Sequence, residues 1–191
     1  MTKAEHRKFM KSVLRAIPTA QRQAQSRAAC RRMAETPEFL AARSVMLYLP
    51  MPGELDIQSL AAAVTESSRQ LLLPQVDWEQ LQMTPVVVPR LEAYYESQLP
   101  MVPQPAGGKP FPIADIDLIV VPGLAFSPEG GRLGRGKGFY DRFLSRPGLS
   151  AWRAAVAFNE QLQPAIPVER HDVPMQMIVT ADGIWRPSRV R

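Results

Sequence analysis

The densest chemistry in the chain lies in residues 120–144, VVPGLAFSPEGGRLGRGKGFYDRFL. Gly130, Gly131, Gly134, Gly136 and Gly138 fall within nine residues, interleaved with Arg132, Arg135 and Lys137. Glycine lets backbone N–H groups approach an anion closely, and cations at every second or third position supply the charge a polyphosphate takes up. The apolar run before the glycines reads as a buried strand and residues 140–144 as a helix whose N-terminus would add positive potential. In a parallel sheet, ligands bind outside the carboxyl ends of the strands, where this segment lies. A solvated basic turn is the competing reading, but so many glycines beside a core strand cost backbone entropy that a ligand would offset.

Two familiar loops fail the comparison. Gly131 to Lys137 has the spacing GxxxxGK, yet Gly138 stands where a magnesium-ligating Ser or Thr belongs. The dinucleotide fingerprint GxGxxG is missing, because the glycines after Gly134 recur at steps of two.

A loop of this kind needs a scaffold, and the pattern of apolar residues predicts one. Residues 3–16 carry Phe9, Val13, Leu14 and, just beyond, Ile17 at near-helical spacing, and Pro18 ends the helix. A second helix is expected over residues 20–33, and Thr36 with Pro37 starts a short third one. Residues 44–49 (SVMLYL) form a strand buried on both faces; Asp56 then caps a helix over residues 57–69, followed by the short apolar run LLLP at 71–74. Valine-rich residues 82–88 read as a strand, residues 94–112 as a long loop, and residues 117–122, 153–158 and 175–180 as further strands. Met175 and Met177, at strand spacing, are expected in the core. Strands alternating with helices predict an α/β fold: one three-layer domain over residues 1–191, a mostly parallel sheet with helices on both faces, and a basic helical arm over about residues 1–43.

Composition agrees. A chain of 191 residues, 46% hydrophobic and 21% charged, has a core of its own and is not a disordered chain, a fibre or a disulfide scaffold. Its 19 prolines, about twice the usual share, imply short elements with stiff connections. Cys30 is the one cysteine and reads as structural. No apolar run spans a membrane and the charged start MTKAEHRKFMKSVLRAI lacks the apolar stretch of a signal peptide, so a cytoplasmic protein away from membranes is expected. The net charge is +5 and the isoelectric point about 9.7. Lys3, Arg7, Lys8, Lys11, Arg15, Arg22, Arg27, Arg31 and Arg32 face only Glu5 in the first 32 residues, which leaves the rest slightly acidic. Such an arm suits a polyphosphate ligand or a weak nucleic-acid surface, and composition does not choose between them. Against nucleic acid, Trp78, Trp152 and Trp185 are scattered and not interleaved with the arm as stacking platforms.

VPGLAF followed by GGRLGRGKGFYDRFL closely resembles the signature of the 5-formyltetrahydrofolate cyclo-ligase, or methenyltetrahydrofolate synthetase, family. The likeness continues through KAEHR, MLYLPMPGELD, AFNEQL and IPVERHDVPMQMIVT, in matching order and spacing. It implies a fold of the sugar-phosphate isomerase and CoA-transferase type, a monomer, and binding of ATP, Mg2+ and a reduced folate. The implied reaction phosphorylates the formyl oxygen of 5-formyltetrahydrofolate and closes the ring to 5,10-methenyltetrahydrofolate, releasing ADP and phosphate. By the same resemblance Lys3, Arg7, Arg132, Leu133, Gly134, Arg135, Gly136, Lys137, Gly138, Phe139 and Tyr140 would bind ATP. Leu49 and Glu54 would bind the folate together with Arg135, Gly136, Lys137, Gly138 and Phe139; Lys137, Arg135 and Glu54 would be catalytic, and Asp141 and Asp172 would hold the metal.

Read without the family, Lys3 and Arg7 are four residues apart on one helical face, as solvated cations also are. Asp141 is then a first-turn helix carboxylate, Asp172 a loop residue beside His171, and Glu54 part of a surface turn. The chain departs from the family pattern at residues 101–105 (MVPQP), where relatives carry Gly-Ile-x-Glu-Pro. It departs again at Phe139, in place of Tyr, and at His6, in place of Leu. Met101, Gln104 and Phe139 bear on folate affinity more than on ATP, because the phosphate loop is intact. The alternatives to a cyclo-ligase are a nucleotide-binding relative without folate activity and a nucleic-acid-binding member of the family.

Overall fold

Pro18 separates α1 (Lys3–Ala16) from α2 (Thr19–Ala34) in the computed structural model, which describes residues 1–91, 105 and 107–188. A reciprocal capping box fixes the start of α1: the Thr2 hydroxyl accepts from the Glu5 N–H, and the Glu5 carboxylate accepts from the Thr2 N–H. Thr36 caps α3 (Pro37–Ala41) through the Phe39 N–H.

The central strands are β1 (Ser44–Met46), β2 (Gln70–Asp77), β5 (Leu118–Val120), β8 (Trp152–Val156) and β9 (Met177–Val179). With β3 (Gln82–Val87), β4 (Lys109–Pro110) and β10 (Ile184–Trp185) they form a sheet of order β10-β9-β8-β5-β1-β2-β3-β4. Pairings from β2 through β9 are parallel, while β3, β4 and β10 extend the edges antiparallel. The sheet is thus mixed with a parallel centre, and the chain is α/β as the alternation of runs required.

Successive residues of each strand point to opposite faces, and both faces are buried. On one, Val45, Leu118, Val120 and Val156 pack with Met10 and Leu14 of α1, Met33 of α2, and Leu60 and Val64 of α4 (Gln58–Glu66). On the other, Met46, Leu72, Ile119 and Ile178 meet Phe143 and Leu144 of α5 (Phe139–Leu144). Each such side chain contributes roughly 1.5–3 kcal/mol on burial. Helices cover both faces unequally. Met175 and Met177 lie fully in the core, and Cys30 is buried, its thiol donating to the Asp56 carbonyl and pushed up to about 12 by that burial.

Several boundaries differ from the sequence expectation. The helix expected over residues 57–69 ends at Glu66, because Ser68 takes a left-handed turn (φ 57) that feeds β2. Asp56 serves it through the Gln58 N–H. The run 71–74 is part of a longer strand that continues through Pro74, which faces Pro85 across the β2–β3 hairpin. Neither proline breaks the ladder there: the Pro85 carbonyl, on the same side as its nitrogen, points away from β2 and accepts from Phe111 N. Lys109–Pro110, expected in a loop, pairs with β3; Met101 and Gln104 lie outside the described residues. The first part of the glycine segment is a hairpin of β6 (Ala125–Phe126) and β7 (Arg132–Leu133).

Candidate active site

A cavity of about 560 Å³ opens beyond the carboxyl ends of β1 and β5, within the size range of small-molecule sites. Lys3 and Arg7 reach it from the first turns of α1, and Tyr48, Leu49, Met51 and Glu54 from the segment after β1. One wall is the run from Arg132 to Asp141; the facing wall is the β2–β3 hairpin with Pro74, Val76, Trp78 and Met83. Glu169, His171 and Asp172 close the rim. The structure therefore brings every site residue named from the sequence to one cavity, from four separate stretches of chain.

The five glycines divide by task. Gly130 (φ +89) turns the β6–β7 hairpin against the Met175 carbonyl, where an added Cβ would stand 2.5 Å from that oxygen. Gly134, Gly136 and Gly138 line the cavity, with Arg7 Nε donating to the Gly134 carbonyl at 2.9 Å. The helix that follows, α5, has only six residues, so it adds less dipole than the sequence suggested.

The charges are paired, which sequence reasoning did not foresee. Lys3 Nζ donates to both Asp172 oxygens at 2.9 and 2.7 Å and lies 3.2 Å from Glu169. Arg132, with a side chain 4% exposed, donates to Asp141 at 2.7 Å and to the Pro122 carbonyl at 3.2 Å, and lies over the Tyr140 ring. Arg135 forks Nε and NH2 onto Glu54 Oε1 at 2.8 and 2.6 Å, while Glu54 Oε2 accepts from the Met51 N–H. Glu54 is therefore tied to the glycine loop rather than standing apart from it, and Asp141 and Asp172 are not bare carboxylates. The reason is physical: charges in a partly dry cavity pair with one another rather than stand alone. Lys137 is exposed and has no ion-pair partner among the described residues.

Burial acts to raise the Asp172 carboxyl, but hydrogen bonds from Lys3 and the Glu169 N–H outweigh it and hold the group below its ordinary value. The Tyr48 and Tyr140 phenols are pushed up, first by burial and then by the nearby Glu54 charge, so both are neutral donors at physiological pH. The Tyr48 hydroxyl donates a hydrogen bond to the Leu55 carbonyl.

Sequence reasoning missed the facing wall. Trp78 meets Phe139 edge to face at 5.0 Å and 82°. Nothing in the spacing of Pro74, Val76, Trp78 and Met83 marks them as cavity residues, because only the hairpin's position across from the loop puts them there.

A family model described as the 5-formyltetrahydrofolate cyclo-ligase family matches residues 1–181. A probable 5-formyltetrahydrofolate cyclo-ligase of Caenorhabditis elegans is 31% identical over 188 residues, covering 93% of this chain and 91% of the relative. The 5-formyltetrahydrofolate cyclo-ligase of Escherichia coli K12 is 29% identical over 178 residues, covering 90% and 96%. Among solved structures, the 5,10-methenyltetrahydrofolate synthetase of Aquifex aeolicus superposes with a TM-score of 0.83 at 30% identity, over 100% of this chain and 95% of that one.

Proposed function

The chain belongs to the 5-formyltetrahydrofolate cyclo-ligase family, whose reaction converts 5-formyltetrahydrofolate to 5,10-methenyltetrahydrofolate at the expense of ATP, and we propose that the cavity is where the two substrates meet. The observation that carries this reading is that one cavity is lined by two unlike sets of residues: the glycines and cations of residues 132–138, and the apolar Trp78, Val76 and Met83 of the β2–β3 hairpin. A triphosphate suits the first, and a flat pterin with an aryl extension suits the second.

A formamide carbon is a weak electrophile. Attack of its oxygen on the γ-phosphorus forms an O–P bond and breaks the bond to ADP, which turns that oxygen into part of a leaving group. The adjacent secondary amine of the folate then attacks the carbon, loses its proton, and phosphate departs as the ring closes. Such chemistry asks the protein chiefly for alignment and charge neutralisation. Lys137 has an ammonium without an ion-pair partner among the described residues for the transferring phosphoryl group, and Arg7 and Arg132 fix the loop that carries it.

For Arg135 to meet phosphate and Glu54 to orient the amine, their ion pair opens. With Arg135 36% exposed the pair is worth about 0–1 kcal/mol, and a triphosphate carrying several charges outcompetes it.

Asp141 and Asp172 both line the cavity and offer the carboxylate oxygens a hard dication takes: Asp141 accepts from Arg132 and the Val173 N–H through one oxygen and has a second to give, whereas Asp172, held through both oxygens by Lys3, would exchange that contact for the metal. Mg2+ bound there would neutralise triphosphate charge. We further propose one domain over residues 1–191 acting as a monomer, since α1 supplies Lys3 and Arg7 to a cavity completed within one chain.

The test is an absorbance assay for the methenyl product beside an ADP assay. ADP release that depends on 5-formyltetrahydrofolate, with Asp141→Asn and Asp172→Asn raising the magnesium needed for half-maximal rate, is the expected result. ADP release indifferent to the folate would overturn the reading, and an unchanged magnesium dependence in both variants would remove the metal assignment.

A further inference from the structure

Arg142 has no part in the reaction as described, yet its guanidinium fastens the two walls of the cavity to each other. From α5, its NH2 donates to the Lys137 carbonyl at 2.7 Å and its Nε to the Leu81 carbonyl at 3.2 Å. The same group lies 5.6 Å from the centroid of Phe139, the ring that meets Trp78. Leu81 belongs to the turn between β2 and β3, and Lys137 to the glycine loop, so one exposed side chain spans from phosphate wall to apolar wall.

Two backbone irregularities frame this guanidinium. Gly138 is left-handed (φ 69), and a Cβ there would stand 3.1 Å from Arg142 NH1. Leu81 is also left-handed (φ 53), a conformation that strains a non-glycine residue, and its carbonyl is one of the two that Arg142 holds.

The loop between these walls is held at two carbonyls, Gly134 by Arg7 and Lys137 by Arg142, with Arg135 and Gly136 between them. Because the Lys137 ammonium has no partner among the described residues, the loop backbone alone sets its direction. Phosphoryl transfer needs donor and acceptor in line, and a misplacement of about 1 Å can cost roughly a hundredfold.

We propose that Arg142 is a positioning residue for the reaction: by gripping Lys137 and Leu81 together it sets the spacing between the nucleotide loop and the folate wall. The inference rests on the assignment of triphosphate to the loop and folate to the hairpin. Removing Arg142 leaves the core intact, since its side chain is exposed and Arg146, just past the end of α5, still bonds β3 at the Met83 carbonyl at 3.2 Å.

The experiment uses Arg142→Ala and Arg142→Lys, with steady-state kinetics and thermal melting, and repeats them in a Trp152→Phe, Trp185→Phe background where Trp78 is the remaining tryptophan. Expected for Arg142→Ala is a kcat lower by about ten- to a hundredfold with much smaller changes in both KM values, and partial recovery in Arg142→Lys. A non-hydrolysable ATP analogue with magnesium should shift Trp78 emission in the parent and not in Arg142→Ala. An arginine that only stabilised the fold would lower Tm and leave kcat and the emission response alone, and that result overturns the proposal. Should Arg142→Ala fail to fold, Arg142→Gln, which keeps a donor without the fork, is read by the same kcat and emission. A parent that produces no methenyl product overturns the functional reading itself, whereas an active parent with a silent Arg142→Ala overturns this inference alone.

Discussion

The two walls of the cavity are built on different principles. The glycine wall is held by point contacts, with arginines on the Gly134 and Lys137 carbonyls and ion pairs from Arg132 to Asp141 and Arg135 to Glu54. The hairpin wall is held by burial, Leu71, Leu72, Leu73 and Val86 lying fully within the sheet while Trp78 leans on Phe139. Point contacts can be exchanged one for one with a charged ligand, so the first wall adapts to its substrate at small cost. Packed strands cannot be exchanged that way, and the second wall offers a fixed surface.

The sharpest way to test that contrast is Lys137→Ala. The side chain is exposed and has no ion-pair partner among the described residues, so folding and Tm should be unchanged, while loss of a cation from the transferring phosphoryl group should lower turnover by about a hundredfold or more. Near-normal kcat in the folded variant would remove the glycine wall from the chemistry.

Glu54→Gln comes next, because Glu54, from the segment after β1, is tied to the glycine wall through Arg135. Loss of the charge-assisted hydrogen bond with which the Glu54 carboxylate would orient the folate amine, about 1.5–3 kcal/mol, predicts roughly a tenfold to hundredfold fall in kcat/KM. Since the change also releases Arg135, titration calorimetry with a non-hydrolysable ATP analogue should show altered nucleotide affinity. Cyclisation lost with nucleotide affinity untouched would mean that the walls work separately and that the ion pair carries nothing.

The smallest effect belongs to the packed wall. Trp78→Leu keeps an apolar surface but removes the edge-to-face pair with Phe139, worth about 0.5–1.5 kcal/mol, so the folate KM should rise by roughly two- to tenfold with nucleotide affinity unchanged. A change confined to nucleotide affinity would place the folate elsewhere.

How much of this was legible beforehand follows from what each feature depends on. The glycines and cations of residues 130–138 mark a candidate phosphate site by type and spacing alone, and the runs 44–49 and 117–122 declare buried strands, because those are local properties of covalent neighbours. The β2 strand was harder, since Pro74 masks it until Pro85 is found opposite, in a hairpin where both nitrogens point away from the partner strand. Arg132 looked like a loop cation and is a strand residue sealed against Asp141.

The sequence by itself determined the fold class, the family resemblance and the candidate residues that the structure gathers at the cavity. Only the tertiary structure decided that Lys3 meets Asp172, that Arg135 meets Glu54, and that Trp78 faces the glycine loop. Those contacts join residues as much as 169 positions apart, and charge pairing is set by distance in space, about which the order of residues along the chain is silent until the sheet has brought its strand ends together.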